Sequence, residues 1–282
     1  MSATPSRTTT GTTGAAPPAP VPPAGARPAR TRLRALRGWA STAGIVLLWY
    51  LAAVTGLLDP RTLPGPDRVL VAAWESIVDG SLPGAVAVSA GRVLVGAALG
   101  IALGVGLGAV AGFSKLGEDV VDRPMQMLRT VPFTALVPLL LLWFGIGEEP
   151  KIILVAFGVA VPMYVNTYGG IRNVDVKLVE VARISGLAGR RIATTVLLPA
   201  ALPTILIGLR SALALGWIAV IVAETVGTDA GIGFLMAQAR QFVRTDVMLV
   251  CVCLYALLGL ATDFAVRLLE RRLLAWRQAY LG

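Results

Sequence analysis

Few residues in this chain could do chemistry, and most of them sit in apolar surroundings. There is no histidine, which removes the commonest metal ligand and the usual general base near neutral pH. The two cysteines, Cys251 and Cys253, stand two apart in an apolar run. On a helix they face different ways and cannot chelate as a pair, so they read as small buried thiols. No Gly-Lys pair occurs, so there is no GxxxxGK[ST] phosphate loop. What remains is charge and polarity set within oil: Arg92, Arg210 and Asp263 inside long apolar stretches, Asn166 and Thr167 just after Pro162, and the segment VEVARISGLAGRRIATTVLLPAALPT at 179–204. None of these sets is catalytic or metal-binding. Cationic and amide donors inside low-dielectric protein can, however, replace the hydration of an anion. Arg210, Asn166 and Thr167 are groups of that kind.

Those residues need elements to hold them. The chain of 282 residues is 56% hydrophobic and 15% charged, shifted from a soluble domain on both counts. Its apolar runs approach the roughly 20 residues that cross a ~30 Å hydrocarbon core, and they do not alternate as barrel strands do. The predicted class is an all-α integral membrane protein with six transmembrane helices, near 39–57, 85–113, 125–146, 151–170, 202–222 and 247–268. Residues 1–36 form a basic leader, expected to be disordered because it has few large apolar groups, and 37–282 form the membrane domain. The length of the leader argues for an uncleaved first span rather than a signal peptide. Glycines at 96, 100, 104, 108 and 112 lay a small-residue stripe along the second span, where a neighbouring helix backbone can approach closely. The same glycines make GVGLGA (104–109) a helix-packing pattern rather than a nucleotide fingerprint. Pro132, Pro138 and Pro162 free backbone carbonyls inside spans.

Charge within the membrane leaves choices open. Arg210 lies about 12 Å into its span at 1.5 Å per residue, where arginine costs roughly 2.5–3.5 kcal/mol on insertion scales. It could snorkel, pair with an acid or line the path. Arg92 reads as an interfacial anchor, and Asp263 as meeting water or a basic partner. Six spans put both termini on one side. That side then holds 18 of the 25 Lys and Arg, against 5 on the other, with Arg92 and Arg210 left in spans. The bias places both termini and the 172–200 loop in the cytoplasm. The net charge of +9 is explained by anionic lipid, with no nucleic acid required.

The 172–200 loop is too short and too charged to cross. Its helical spacing at Leu178, Val181, Ala182 and Ser185, broken by Gly186 and Gly189, predicts a helix-turn-helix hairpin on the surface. Here the chain resembles the membrane subunits of bacterial ABC importers with the type I, MetI-like permease fold. Their signature is E-A-A, three residues, G, nine residues, then I-x-L-P. This chain has Glu180-Val181-Ala182, three residues, Gly186, nine residues, then Val196-Leu197-Leu198-Pro199. The departures are Val181 for Ala and Val196 for Ile. VPFTALVPLLLLWFGIGEEPKI (131–152), PAALPTILIGLR (199–210), Glu224 with GIG (231–233), and the closing LERRLLAW are similar to the nitrate, sulfonate and taurine subgroup.

The resemblance implies that the loop is the coupling element of a permease in the bacterial cytoplasmic membrane. Glu180, Val181 and Ala182 would dock on a cytoplasmic ATPase dimer, Gly186 would make the turn, and Pro199 would start the return to the membrane. Proline there can also simply fix a helix start. ATP and magnesium would sit on the partner, with no cofactor, metal or catalytic residue in this chain. Further implied partners are a second permease copy, giving a homodimer, an extracytoplasmic substrate-binding protein, and membrane lipid. The solute would be a small oxyanion, and Arg210, Asn166 and Thr167 would be the candidates to line its path. The alternative, an ion-coupled secondary transporter, would want an intramembrane acid relay or inverted repeats, and neither is legible.

Overall fold

A computed structural model describes the backbone of residues 28–278 and the side chains of 40–276. The disordered leader expected for 1–36 lies outside the described residues up to 27; residues 28–36 are instead helical. The chain divides into two units, up to Leu48 and from Trp49; α1 (Pro28–Val54) begins in the first and ends in the second. Within the larger unit follow α2 (Pro66–Val78), α3 (Ser81–Phe113), α4 (Lys115–Thr130), α5 (Val137–Phe144) and α6 (Glu149–Arg172). The coupling segment forms α7 (Val176–Ile184) and α8 (Arg190–Ile192). Then come α9 (Leu198–Glu224), α10 (Ile232–Gln241) and α11 (Thr245–Leu273).

Among the described residues, four helical stretches are long and apolar enough to cross a membrane: α3, α6, the stretch from Arg190 to Glu224 that includes α9, and α11. The first apolar run is shorter, Ala40–Val54. The third is not a straight span. It is broken, with Lys115–Thr130 and Phe133–Phe144 meeting at 89°. Sequence causes the break. Val131, ahead of Pro132, is pushed to extended geometry, and is found at φ −76°, ψ 120°. Pro132 then opens a short 3-10 turn, Phe133–Leu136, and Pro138 occupies the first turn of α5, where its missing N–H costs nothing. Six spans are therefore reached only by counting the bent pair and the short first run as crossings.

The glycine stripe of α3 packs as its spacing predicts. Gly96, Gly100, Gly104, Gly108 and Gly112 lie against Val155, Ala156 and Val159, Ala160 and Met163, Thr167, and Ile171 of α6 respectively. A methyl group at any of the five would come within 3.0 Å of a neighbouring atom. On the other side of α6, Gly208 of α9 meets Asn166, and Gly170 meets the Ala201 carbonyl. The main core thus lies where α3, α6 and α9 meet. A second joins α2, α3, α10 and α11. Cys251 is buried in the second core while Cys253 is exposed, so only one of the two thiols is interior. Leu94, Leu142 and Leu260 are each more than 60% exposed, as suits side chains that meet lipid or another membrane helix.

Candidate functional site

Three places concentrate the polar groups. The first is the hairpin between α6 and α9. Asp175 caps α7, its carboxylate accepting from the Lys177 amide at 2.9 Å. The helix ends in a Schellman motif: the Gly186 amide donates to the Arg183 carbonyl, and the Leu187 amide to the Ala182 carbonyl, each at 3.0 Å. Gly186 supplies the left-handed residue this needs, at φ +80°. Glu180 and Val181 point outward, Ala182 is buried against the hairpin, and Ile184 is 87% exposed. The result is an outward face of Val176, Glu180, Val181 and Ile184 that no described residue covers.

The return limb does not stop at Pro199. Residues from Arg190 onward run continuously into α9, through a π-helical stretch at Ala193–Leu197. Pro199 cannot donate to the fourth carbonyl before it, and the widened turn just upstream accommodates that gap. Val179, Arg183, Leu187 and Ile192 surround an open hollow of about 700 Å³ between the limbs.

The second place is at the opposite end of α6. Glu224, at the end of α9, is fully buried. It accepts from Ser89 Oγ at 2.7 and 2.8 Å, from Arg92 Nη1 at 2.8 Å and from the Gly233 amide at 2.9 Å. Arg92 also donates to Glu148 through Nε and Nη2, at 2.7 and 2.6 Å, and to the Ala230 carbonyl at 2.7 Å. Ser89 Oγ accepts from the Ile232 amide at 2.9 Å. One guanidinium thus joins α3, the start of α6, the end of α9 and the start of α10. Glycines make room for it: a Cβ at Gly231 would lie 2.5 Å from the Glu224 carboxyl, and one at Gly233 2.5 Å from Glu224 Cβ. Arg92 is only 4% exposed, so it is a buried tie and not the interfacial anchor expected. Lys151, also 4% exposed, donates to Glu148 at 3.3 Å. The Arg92 hydrogen bonds hold the Glu148 carboxyl down at about 2, against an ordinary 4.5.

The third place is a cavity of about 260 Å³ under the bend between α4 and α5, bordered by Arg129, Phe133, Phe157, Pro162, Asn166 and Leu215. Asn166 Nδ2 donates to the Pro162 carbonyl at 2.9 Å, and its Cβ abuts Gly208, which fixes the side chain. Thr167, next in sequence, faces the other way, fully buried against Gly108. Arg210 is ion-paired with Asp263, which also accepts from Arg267 at 2.9 Å. Of the three choices open to Arg210, the structure shows pairing with an acid. The cavity therefore brings together Asn166 and Arg129, and leaves Thr167 and Arg210 outside its lining. Arg129 escaped the sequence reading because it was counted among the cytoplasmic basic residues; it borders the cavity from the last turn of α4, just before the bend at Pro132.

Below the cavity, α4 is braced to α6. Tyr164 Oη donates to Asp122 at 2.9 Å and Tyr168 Oη to Glu118 at 2.6 Å, with Arg172 also on Glu118. The two tyrosine rings stack at 5.8 Å. Arg172 is the last residue of α6 before the hairpin, so hairpin, α6 and α4 are mechanically joined.

The profile of the binding-protein-dependent transport system inner membrane component matches residues 100–275. The chain is 47% identical over 255 residues to a putative aliphatic sulfonates transport permease protein, SsuC, of Escherichia coli (strain K12), spanning 90% of this chain and 97% of that one. It is 41% identical over 256 residues to the protein of the same description from Bacillus subtilis (strain 168), covering 91% of this chain and 93% of that one. It is 30% identical over 237 residues to the taurine transport system permease protein TauC of Escherichia coli (strain K12), covering 82% of this chain and 86% of that one. Among solved structures, the inward-facing MetNI methionine ABC transporter aligns with a TM-score of 0.55 at 22% identity, over 66% of this chain and 94% of that one. An amino acid ABC transporter aligns with a TM-score of 0.60 at 18% identity, over 71% of this chain and 96% of that one. These two likenesses are of fold alone.

Proposed function

The chain belongs to the family of binding-protein-dependent transport system inner membrane components, and from that premise we propose that it carries small organic sulfonates inward. It is a multi-pass transport permease of the type I ABC importer fold. Energy would come from a separate cytoplasmic ATPase dimer that binds ATP and magnesium, and the solute from an extracytoplasmic binding protein. Two copies of this chain would face each other across the path, with lipid around them, both termini in the cytoplasm and the hairpin on that side. The 47% identity to an aliphatic sulfonates permease over 90% of the chain is the observation that carries the solute class. Glu180, Val181 and Ile184, exposed on a capped helix, suit docking in a groove of the ATPase.

The test is reconstitution. The chain, purified with its ATPase and placed in proteoliposomes with its binding protein, is expected to accumulate radiolabelled ethanesulfonate or taurine only when ATP is supplied. ATP-driven uptake of a neutral solute in place of both would overturn the sulfonate assignment, and uptake driven by an ion gradient without ATP would overturn the importer reading.

Coupling can be tested at Gly186. Nothing lies within 4 Å of a Cβ placed there, so a side chain meets no steric wall. Its left-handed φ alone penalises β-branched residues, by about 1–2 kcal/mol. Gly186→Val is expected to distort the hairpin, cutting ATPase recovery and uptake together by about tenfold, as 1.4 kcal/mol would. Gly186→Asn tolerates the conformation and should stay near wild type. Equal uptake for Val and Gly at this position would remove the turn from the coupling mechanism.

A further inference from the structure

Three arginines lie on the helices of the membrane domain beside apolar neighbours, and two of them hold acids: Arg92 on Glu148 and Glu224, Arg210 on Asp263. Arg129 holds none among the described residues, and its guanidinium makes no hydrogen bond there. It stands in the last turn of α4, just before the bend, and its side chain is exposed. Arg129 is fourteen positions beyond Lys115 along α4, about 21 Å of rise away from the end that Arg172 holds through Glu118. The Tyr164–Asp122 and Tyr168–Glu118 hydrogen bonds fix the level of α4 against α6 and set Arg129 beside Phe157. An exposed charge on a membrane chain is costly against lipid, and such charges face water-filled cavities or pathways. Arg129 borders the 260 Å³ cavity under the bend.

We propose that Arg129 is the anion-recognising residue of the solute path. It would take the sulfonate head in the cavity while Phe133, Phe157 and Leu215 contact the aliphatic part. This rests on the sulfonate reading above. The chemistry matches on both sides. A sulfonate offers several oxygens on one anionic centre, and a guanidinium offers parallel N–H donors that bind two such oxygens at once. The remainder of the lining named here is aromatic and aliphatic apart from Asn166, which suits a short alkyl tail. Asn166 lies nine residues along α6 from Phe157, about 13 Å nearer the hairpin. With one amide hydrogen spent on the Pro162 carbonyl, its second is free to receive the head as it leaves. One cation and one amide, separated along the path, hold an anion weakly enough to release it.

The experiment uses the full complex in proteoliposomes, with radiolabelled ethanesulfonate as solute and ATP hydrolysis measured in the same vesicles. Arg129→Gln is expected to lower uptake about tenfold or more, as loss of charge-assisted hydrogen bonds would. Arg129→Lys, which keeps the charge but not the fork, should fall by only about threefold. Both should keep the stimulation of ATP hydrolysis by the loaded binding protein, because neither touches the hairpin. Uptake by Arg129→Gln equal to wild type would overturn the proposal while leaving the sulfonate function in place. Uptake, hydrolysis and complex recovery falling together for Gln and Lys alike would overturn it in favour of a structural pairing, for instance across two copies of the chain. Wild-type complex that moves no ethanesulfonate or taurine would overturn both this proposal and the reading beneath it.

Discussion

Arg92→Met is expected to destabilise the folded chain by about 3–5 kcal/mol, the range for leaving a buried charge without its partner. Glu224 is fully buried and would keep only Ser89 Oγ and the Gly233 amide as donors. The damage should reach α10 as well, since the Arg92 bond to the Ala230 carbonyl helps hold the turn before that helix. Adding Glu224→Gln should recover part of the loss, because the stranded charge is then gone. Thermal unfolding in detergent measures both. If the double variant is as unstable as the sum of the two singles, the pair is not energetically joined. The pH dependence has a fixed sign. A carboxyl lowered from 4.5 to about 2, as Glu148 is, contributes stability that is complete above its ordinary value and fades as pH falls through the folded one. Unfolding temperature should therefore show no Glu148 contribution to its slope above about pH 5, and Arg92→Met should remove most of the contribution that Glu148 makes below that, leaving the part due to Lys151.

The parts of this fold that were legible in sequence are the parts with a period. A glycine every fourth residue from 96 to 112 has one physical use on a helix, and its partner turned out to be α6 along its whole length. The Glu180 to Pro199 spacing was legible because a capped short helix, a left-handed glycine and a proline at a span entrance each need a particular residue type. What stayed hidden depended on distant pairing. Arg92 and Glu224 are 132 residues apart, and nothing local to either shows that they meet. The third span was misread because hydropathy counts apolar residues and does not register direction. LRTVPFTALVPLL is oily apart from Arg129 and two threonines, yet the break at Pro132 turns it through 89°. That turn also set Arg129, counted in sequence only as a cytoplasmic basic residue, at the edge of a cavity. Geometry at Pro132 thus decided which arginine borders the candidate path.

Gly104→Leu is expected to abolish assembly of the folded permease, the largest single effect in the chain. Overpacking a tight core costs about 1–3 kcal/mol where side chains can move. At Gly104 they cannot. A Cβ there would lie 2.4 Å from the Ala160 carbonyl oxygen, 2.6 Å from Met163 Cβ and 3.0 Å from the Tyr164 amide. Two of these three are backbone atoms, so relief requires α3 and α6 to separate. Separation would strip contacts from Gly100 and Gly108 on either side, and with them from Val159 and Met163, which are at most 1% exposed. It would also shift Tyr164, whose hydroxyl braces α4, and so loosen the frame that carries the hairpin. A second glycine on the same helix supplies the control. Gly106 is exposed with nothing within 4 Å of its Cβ position, and Leu there has the same helix propensity and hydrophobicity as Leu at 104. Gly106→Leu should give folded protein near the wild-type yield on size-exclusion chromatography in mild detergent, with the unfolding midpoint unchanged or raised, since Leu favours helix over Gly by somewhat under 1 kcal/mol. Gly104→Leu should give aggregate or no recoverable peak, and Gly104→Ala a folded but less stable protein. If Leu at 104 behaves as Leu at 106, α3 and α6 do not meet along this stripe, and the frame on which the hairpin and the cavity both depend is not the one described.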